Sequence, residues 1–289
     1  MGVESFPRPS DKPQEGQKIE GKKNVEDEAL AAKAEDVINA AVNFKTIERA
    51  LSQLSRSKSE GDVEGEKSVV VSKHAEAFGS LENNLPHGGL YGIRGLSPAI
   101  EKLKSAGKPK EIIKQAADIL PVAEATADVF DLARNTLSVK RSLASELPPE
   151  RKSGAVAEKA RDLMAARHKF AAIATYANSL ISGVESLTRH SGQDAVERDK
   201  KVILDYYRQG YDLIEKGLPV EVVTSSDRIH SIRGFSDAIE KLRKAEKPKD
   251  IKAAATDILA IAGTVVDAFE VINKSFFEAE IAAKQSGGE

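Results

Sequence analysis

The strongest constraint on this chain is an internal repeat. Ile93-Arg94-Gly95-Leu96-Ser97-Pro98-Ala99-Ile100-Glu101-Lys102-Leu103 returns as Ile232-Arg233-Gly234-Phe235-Ser236-Asp237-Ala238-Ile239-Glu240-Lys241-Leu242. The echo continues at Lys108-Pro109-Lys110 and Lys247-Pro248-Lys249, then at Asp118-Ile119-Leu120 and Asp257-Ile258-Leu259. A constant offset carries it to Phe130 and Phe269. An upstream echo sets Lys33, Ala34, Asp36 and Phe44 against Lys159, Ala160, Asp162 and Phe170 at a shorter offset, so the second copy has gained residues in between. A chain of 289 residues repeating itself in this way reads as two similar units, each long enough to bury a core.

The copies read as helical throughout. Ala34, Val37, Ile38, Ala41, Phe44, Ile47 and Leu51 recur at helical spacing, and Ala160, Leu163, Phe170, Ile173, Ala177 and Ile181 answer them. Each unit is predicted to hold four helices. The first unit has helices at about 28–55, 66–84 and 97–107, and from Pro109 to about 144. The second has them at about 154–190, 196–217 and 236–246, and from Pro248 onward. Leu85-Pro86 and Leu218-Pro219 end the second helix of each unit, because proline cannot continue a helix. Ser97 and Ser236 read as N-caps of the third helices. The fourth helix carries the broadest apolar face, from Ile251 through Ile258, Val265 and Phe269 to Phe276, and its counterpart, from Ile112 to about Ala144, is expected to kink at Pro121. Leu147-Pro148-Pro149-Glu150 is the clearest break.

The fold class is therefore all-α, with two duplicated four-helix-bundle-like units fused in tandem. Residues 1–27 read as a disordered leader, 28–147 as unit one, 148–151 as a proline-rich linker, 152–285 as unit two and 286–289 as a frayed tail. The leader lacks the apolar run of a secretory signal, which predicts a cytoplasmic protein or one exported by a non-classical route.

Composition narrows the chemistry. The chain has no cysteine, which removes disulfides, thiolate metal sites and cysteine nucleophiles. A net charge of −2 gives no global field for nucleic acid. No phosphate loop, dinucleotide fingerprint or nucleophile elbow occurs, and Gly88-Gly89-Leu90-Tyr91-Gly92 reads as a turn. His74, His87, His168, His190 and His230 never stand at metal-ligand spacing. No metal, cofactor or enzymatic activity is expected. Asp118 and Asp257, like Asp128 and Asp267, correspond between copies, and paired carboxylates can do acid–base work, but Asp257, Ala260, Thr264, Asp267, Glu270 and Lys274 recur at spacings of three and four and read as one solvated helix face. The repeated Arg94-Gly95 and Arg233-Gly234 read as turns in which glycine supplies positive φ and arginine caps carbonyls of a preceding helix.

The best candidate surface is the corner between the third and fourth helices. Copy one places Lys102, Lys104, Lys108, Lys110 and Lys114 there, leaving residues 101–114 at +3 after Glu101 and Glu111. Copy two places Lys241, Arg243, Lys244, Lys247, Lys249 and Lys252, leaving residues 240–252 at +3 after Glu240, Glu246 and Asp250. Such patches suit an acidic protein or an anionic lipid surface. Without interleaved aromatics they do not suit single-stranded nucleic acid. Asp257 and Asp267 would each cost about 2.5–3.5 kcal/mol near a bilayer centre, so residues 251–272 are not expected to span a membrane constitutively. The sequence thus points to a non-enzymatic scaffold or adaptor that binds a protein partner through helix faces or the basic corners. The alternative is a membrane-active protein, a secreted effector, toxin or pore former, binding anionic lipid.

Overall fold

A computed structural model describes residues 15–57, 63–82, 92–186, 193–216 and 232–286. Among them lie eight helices and no strand: α1 (Glu15–Arg56), α2 (Val63–Glu82), α3 (Ser97–Ser105), α4 (Pro109–Ala144), α5 (Pro149–Ser186), α6 (Gln193–Glu215), α7 (Phe235–Lys244) and α8 (Pro248–Ser286). The all-α expectation holds. Several boundaries move. Residues 15–27, read as leader, are helical, and α5 begins at Pro149, so the connector between α4 and α5 is 145–148. Pro149 opens its helix, where a missing N–H costs nothing. Pro121 lies inside α4, which continues through it. Leu85-Pro86, Leu218-Pro219, most of the glycine-rich turn, His87, His190 and His230 lie outside the described residues.

Each of the four long helices, α1, α4, α5 and α8, packs against the other three. Helices α2 and α3 add to α1 and α4, while α6 and α7 add to α5 and α8. The buried apolar residues form one cluster that runs through both halves of the chain. The apolar stripe of α1 explains its place: Leu30, Ala34, Val37, Ala41, Phe44, Ile47, Leu51 and Leu54 are all buried. At 1.5 Å per residue its 42 residues extend about 63 Å, enough to reach partners in both halves.

Corresponding residues make corresponding contacts. Phe44 lies 4.4 Å from Phe130 and meets Phe78 edge-on; Phe170 stacks 4.7 Å from Phe269 and meets Tyr211 edge-on. Offset aromatic packing of this kind adds about 0.5–1.5 kcal/mol per pair beyond area burial. Buried Lys33 donates to Asp36 (2.9 Å) and to the Leu81 carbonyl (3.0 Å). Buried Lys159 donates to Asp162 (2.9 Å) and to the Ile214 carbonyl (3.2 Å) and also reaches the Lys216 carbonyl. Both ammonium groups thereby satisfy open carbonyls, and oppose the negative dipole end, at the close of α2 and of α6. Lys67 and Lys200 do the same at the ends of α3 and α7, donating to Ala106 (2.7 Å) and Ala245 (2.6 Å).

One matched contact is inverted. Glu35 of α1 pairs with Arg141 of α4, whereas Arg161 of α5 pairs with Glu280 of α8. The charges have traded places at equivalent sites. These pairs, with Phe44–Phe130 and Phe170–Phe269, make α1 antiparallel to α4 and α5 antiparallel to α8.

Candidate functional site

The turn before α3 and the turn before α7 use glycine as the sequence predicts. Gly95 has φ +80° and Gly234 φ +75°, a region that costs a residue with a Cβ about 1–2 kcal/mol. Among the described residues, however, the arginines bond no carbonyl and instead take carboxylates. The Arg94 backbone N–H donates to Asp267 Oδ2 at 2.8 Å, and its guanidinium donates to both carboxylate oxygens, from Nε at 2.9 Å to Oδ2 and Nη2 at 2.9 Å to Oδ1. Arg233 does the same to Asp128: backbone N–H to Oδ2 at 2.8 Å, Nε to Oδ2 at 2.8 Å and Nη2 to Oδ1 at 2.7 Å. Each arginine therefore crosses to the opposite half of the chain. The geometry is the bidentate fork that only arginine provides, reinforced by a main-chain donor.

This corrects the reading of Asp267 as part of a solvated face, and its counterpart Asp128 is engaged in the same way. Asp257 and Ala260 are exposed, but Thr264 and Asp128 are buried and Asp267 is half-buried beneath Arg94. Arg233 also donates to Glu48 at 2.8 Å and lies 3.8 Å from Glu124. Its hydrogen bonds to Asp128 and Glu48 raise its pKa further above the usual arginine range. Burial pushes the Glu48 carboxyl up, but hydrogen bonds from Arg233 and Lys45 outweigh it and hold it below its ordinary value.

The N-cap reading of the serines is also corrected. Helix α3 is capped at Leu96 and α7 at Gly234, with no side-chain cap bond in either. The positive φ of the glycine tightens the chain, so the helical bonds begin earlier: Ser97 N–H and Ser236 N–H already reach the carbonyls of Ile93 (3.1 Å) and Ile232 (2.9 Å). The hydroxyls are left to tie the third helix to the second. His74 Nε2 lies 3.1 Å from Ser97 Oγ, and the Tyr207 hydroxyl donates to Ser236 Oγ at 2.9 Å. Burial lowers the His74 pKa, against the attraction of Glu101.

The basic corners are built by the step from α3 into α4 and from α7 into α8. Lys102, Lys104, Lys108, Lys110, Lys241, Arg243, Lys244, Lys247 and Lys249 are all exposed. The corners differ in how much of their charge is engaged. In the second, Lys241 pairs with Asp257 (3.0 Å), and Glu240 takes both Arg243 (2.7 Å) and Lys244 (3.0 Å). Those hydrogen bonds, from Arg243 first, pull the Glu240 carboxyl down to about 2. In the first, Lys104 stands 3.7 Å from Glu101. Among the described residues, Lys102, Lys108, Lys110, Lys247 and Lys249 have no carboxylate within ion-pair distance.

Two surface cavities lie among the described residues. One of about 410 Å³ is lined by Ala31, Ala34, Ile38, Leu137, Arg141 and Val156, with Arg141 paired to Glu35 at its edge. The other, about 580 Å³, lies beside exposed Phe277, His168 and Glu270, and Glu270 is paired to Arg167. No group of three or more metal-ligating side chains is found among the described residues, and no described helix is long and apolar enough to cross a membrane. Comparison with known protein families, curated proteins and solved structures finds no match.

Sequence reasoning missed the inter-half bridges and the helix-end lysines Lys67 and Lys200. A signal for the bridges was available: Arg94 and Arg233 share the offset of Asp128 and Asp267, and a duplicated charge beside a duplicated opposite charge invites pairing across copies.

Proposed function

We propose that the chain is a non-enzymatic helical scaffold of two duplicated four-helix units fused in tandem, whose basic corners dock an acidic protein partner. The observation that carries this reading is the division of labour among its cations. Arg94 and Arg233 are consumed in bridges between the halves, whereas Lys102, Lys108, Lys110, Lys247 and Lys249 are exposed without carboxylate partners among the described residues. Two like-charged corners on one chain favour a partner with two acidic segments, since the second contact then forms at a raised effective concentration. Exposed lysines act mainly through long-range attraction, so binding is expected to weaken steeply with salt.

The test is fluorescence anisotropy with labelled polyglutamate at low and physiological salt. Reversing the five unpaired lysines to glutamate should weaken binding at least about tenfold, which corresponds to 1.4 kcal/mol. Unchanged affinity would remove the corners as the docking site. Phosphatidylserine vesicles form the competing arm: binding to vesicles but not to polyglutamate would replace the protein partner with a membrane surface.

A further inference from the structure

Arg94 reaches from the first half of the chain to Asp267 of the second, and Arg233 reaches back to Asp128 of the first. The two donors are separated by the same number of residues as the two acceptors. A contact set in which one residue meets a second, and the second's counterpart meets the first's, is that of an isologous two-fold interface. Here both sides belong to one chain. The long helices α1 and α4 each pack on both α5 and α8, and the covalent link between the halves is the short segment 145–148.

We infer that this interface is exchangeable between chains, so that the first half of one copy can pair with the second half of another in a swapped dimer. The inference rests on the duplicated-unit reading above. Every bridge and core contact between halves can be made equally well by a second copy, and only the connector must change course. With a connector this short, pairing within one chain enjoys a high effective concentration, and the closed monomer prevails in dilute solution. The connector holds the balance. Ser145 and Glu146 still bond back to Arg141, Ser142 and Leu143, so α4 winds on almost to the prolines. Pro148 and Pro149 then break the run, since proline has no N–H to continue it. Short connectors between complementary elements are the usual sites of exchange.

Two experiments on the full chain test this. Light scattering on Pro148→Ala/Pro149→Ala is expected to give twice the mass of the unsubstituted chain, because α4 can then run into α5 and the closed hairpin is lost. A variant that stays monomeric with unchanged helical content would overturn the inference. The second experiment does not depend on that variant folding. Asp128→Arg and Arg233→Asp each set like charges against one another within their own chain. Refolded together, they regain both opposite-charge pairings only across chains, and a mixed dimer of the two is expected. Failure to combine, or dimers formed as readily by either variant alone, would equally overturn exchange. Polyglutamate binding read on the same samples separates the two proposals: a mixed dimer that ignores polyglutamate leaves exchange standing and removes the docking role.

Discussion

The two bridges between halves have the same design and different surroundings. Arg94 is 78% exposed and holds Asp267, which is 15% exposed. Arg233 is 42% exposed and holds Asp128, which is 8% exposed, together with Glu48 at 13%. The positions that correspond to Glu48 and Glu124 in the other half are Ala174 and Gly263, so the Arg94 bridge lacks those two flanking carboxylates. Identical local chemistry therefore yields one anchored network and one isolated surface pair. Exposed pairs contribute about 0–1 kcal/mol, whereas losing one partner of a buried pair costs about 3–5 kcal/mol. The Arg233 network falls between these limits and the Arg94 bridge sits at the lower one.

The largest expected effect follows directly. Arg233→Ala should lower stability by about 2–3 kcal/mol, read as a shift in the urea midpoint at unchanged slope, because it leaves Asp128 and Glu48 as facing, half-desolvated anions. Arg94→Ala should cost no more than about 1 kcal/mol. Equal losses would erase the distinction drawn between the two bridges.

The glycines sharpen the same contrast. An added Cβ at Gly234 would approach Ile261 Cδ1 to 2.8 Å, while at Gly95 it would meet Val122 at an ordinary 3.5 Å. Both substitutions carry the positive-φ penalty of about 1–2 kcal/mol. Gly234→Ala should exceed Gly95→Ala by a few tenths of a kcal/mol, because the Ile261 methyl must move aside. Thermal unfolding of the two variants measures the difference.

A smaller effect should appear at the ties between second and third helices. His74 occupies the place of Tyr207, and burial holds its pKa below the ordinary 6.5. The unfolded chain then takes up the proton first, so stability attached to neutral His74 is present above pH 6.5 and is lost as pH falls below it. His74→Tyr, which imports the second half's hydroxyl, should flatten that decline: the variant gains on the unsubstituted chain at pH 5 relative to pH 8. An unchanged pH profile would mean that the burial of His74 has no bearing on stability.

The smallest effect tests the inverted ion pair. Glu35→Arg with Arg141→Glu in one chain gives the first half the charge order of Arg161 and Glu280. The double variant should lie within about 0.5 kcal/mol of the unsubstituted chain and above either single change.

How much of this was legible in the sequence varies with the kind of contact. Helical periodicity located the buried faces of α1, α4, α5 and α8, because a 3.6-residue stripe reports burial whatever covers it. The turn glycines were legible as well, since positive φ is a local demand. Partnership between faces was not. Asp128 and Asp267 stand among polar neighbours along their helices, and nothing in one helix's period says that the opposite half lies over them. Ser97 looked like a cap because serine before proline commonly is one; the glycine two residues earlier started the helix sooner and released the hydroxyl to His74. The helical stretch 15–27 was missed for a similar reason. Its residues are too polar to announce a buried face, yet Asp27 is tied by Arg161 of α5 at 2.7 Å. In the corners, sequence placed every lysine at the surface, but which charges remain unpaired depended on Asp257, sixteen residues from Lys241.

The central claim is that the halves are fastened by reciprocal bridges of unequal strength. The most direct measurement is a pair of double-mutant cycles in urea, Arg233→Ala with Asp128→Ala and Arg94→Ala with Asp267→Ala. A coupling above about 1 kcal/mol is expected for the first pair and below about 0.5 kcal/mol for the second. A negligible coupling between Arg233 and Asp128 would contradict it.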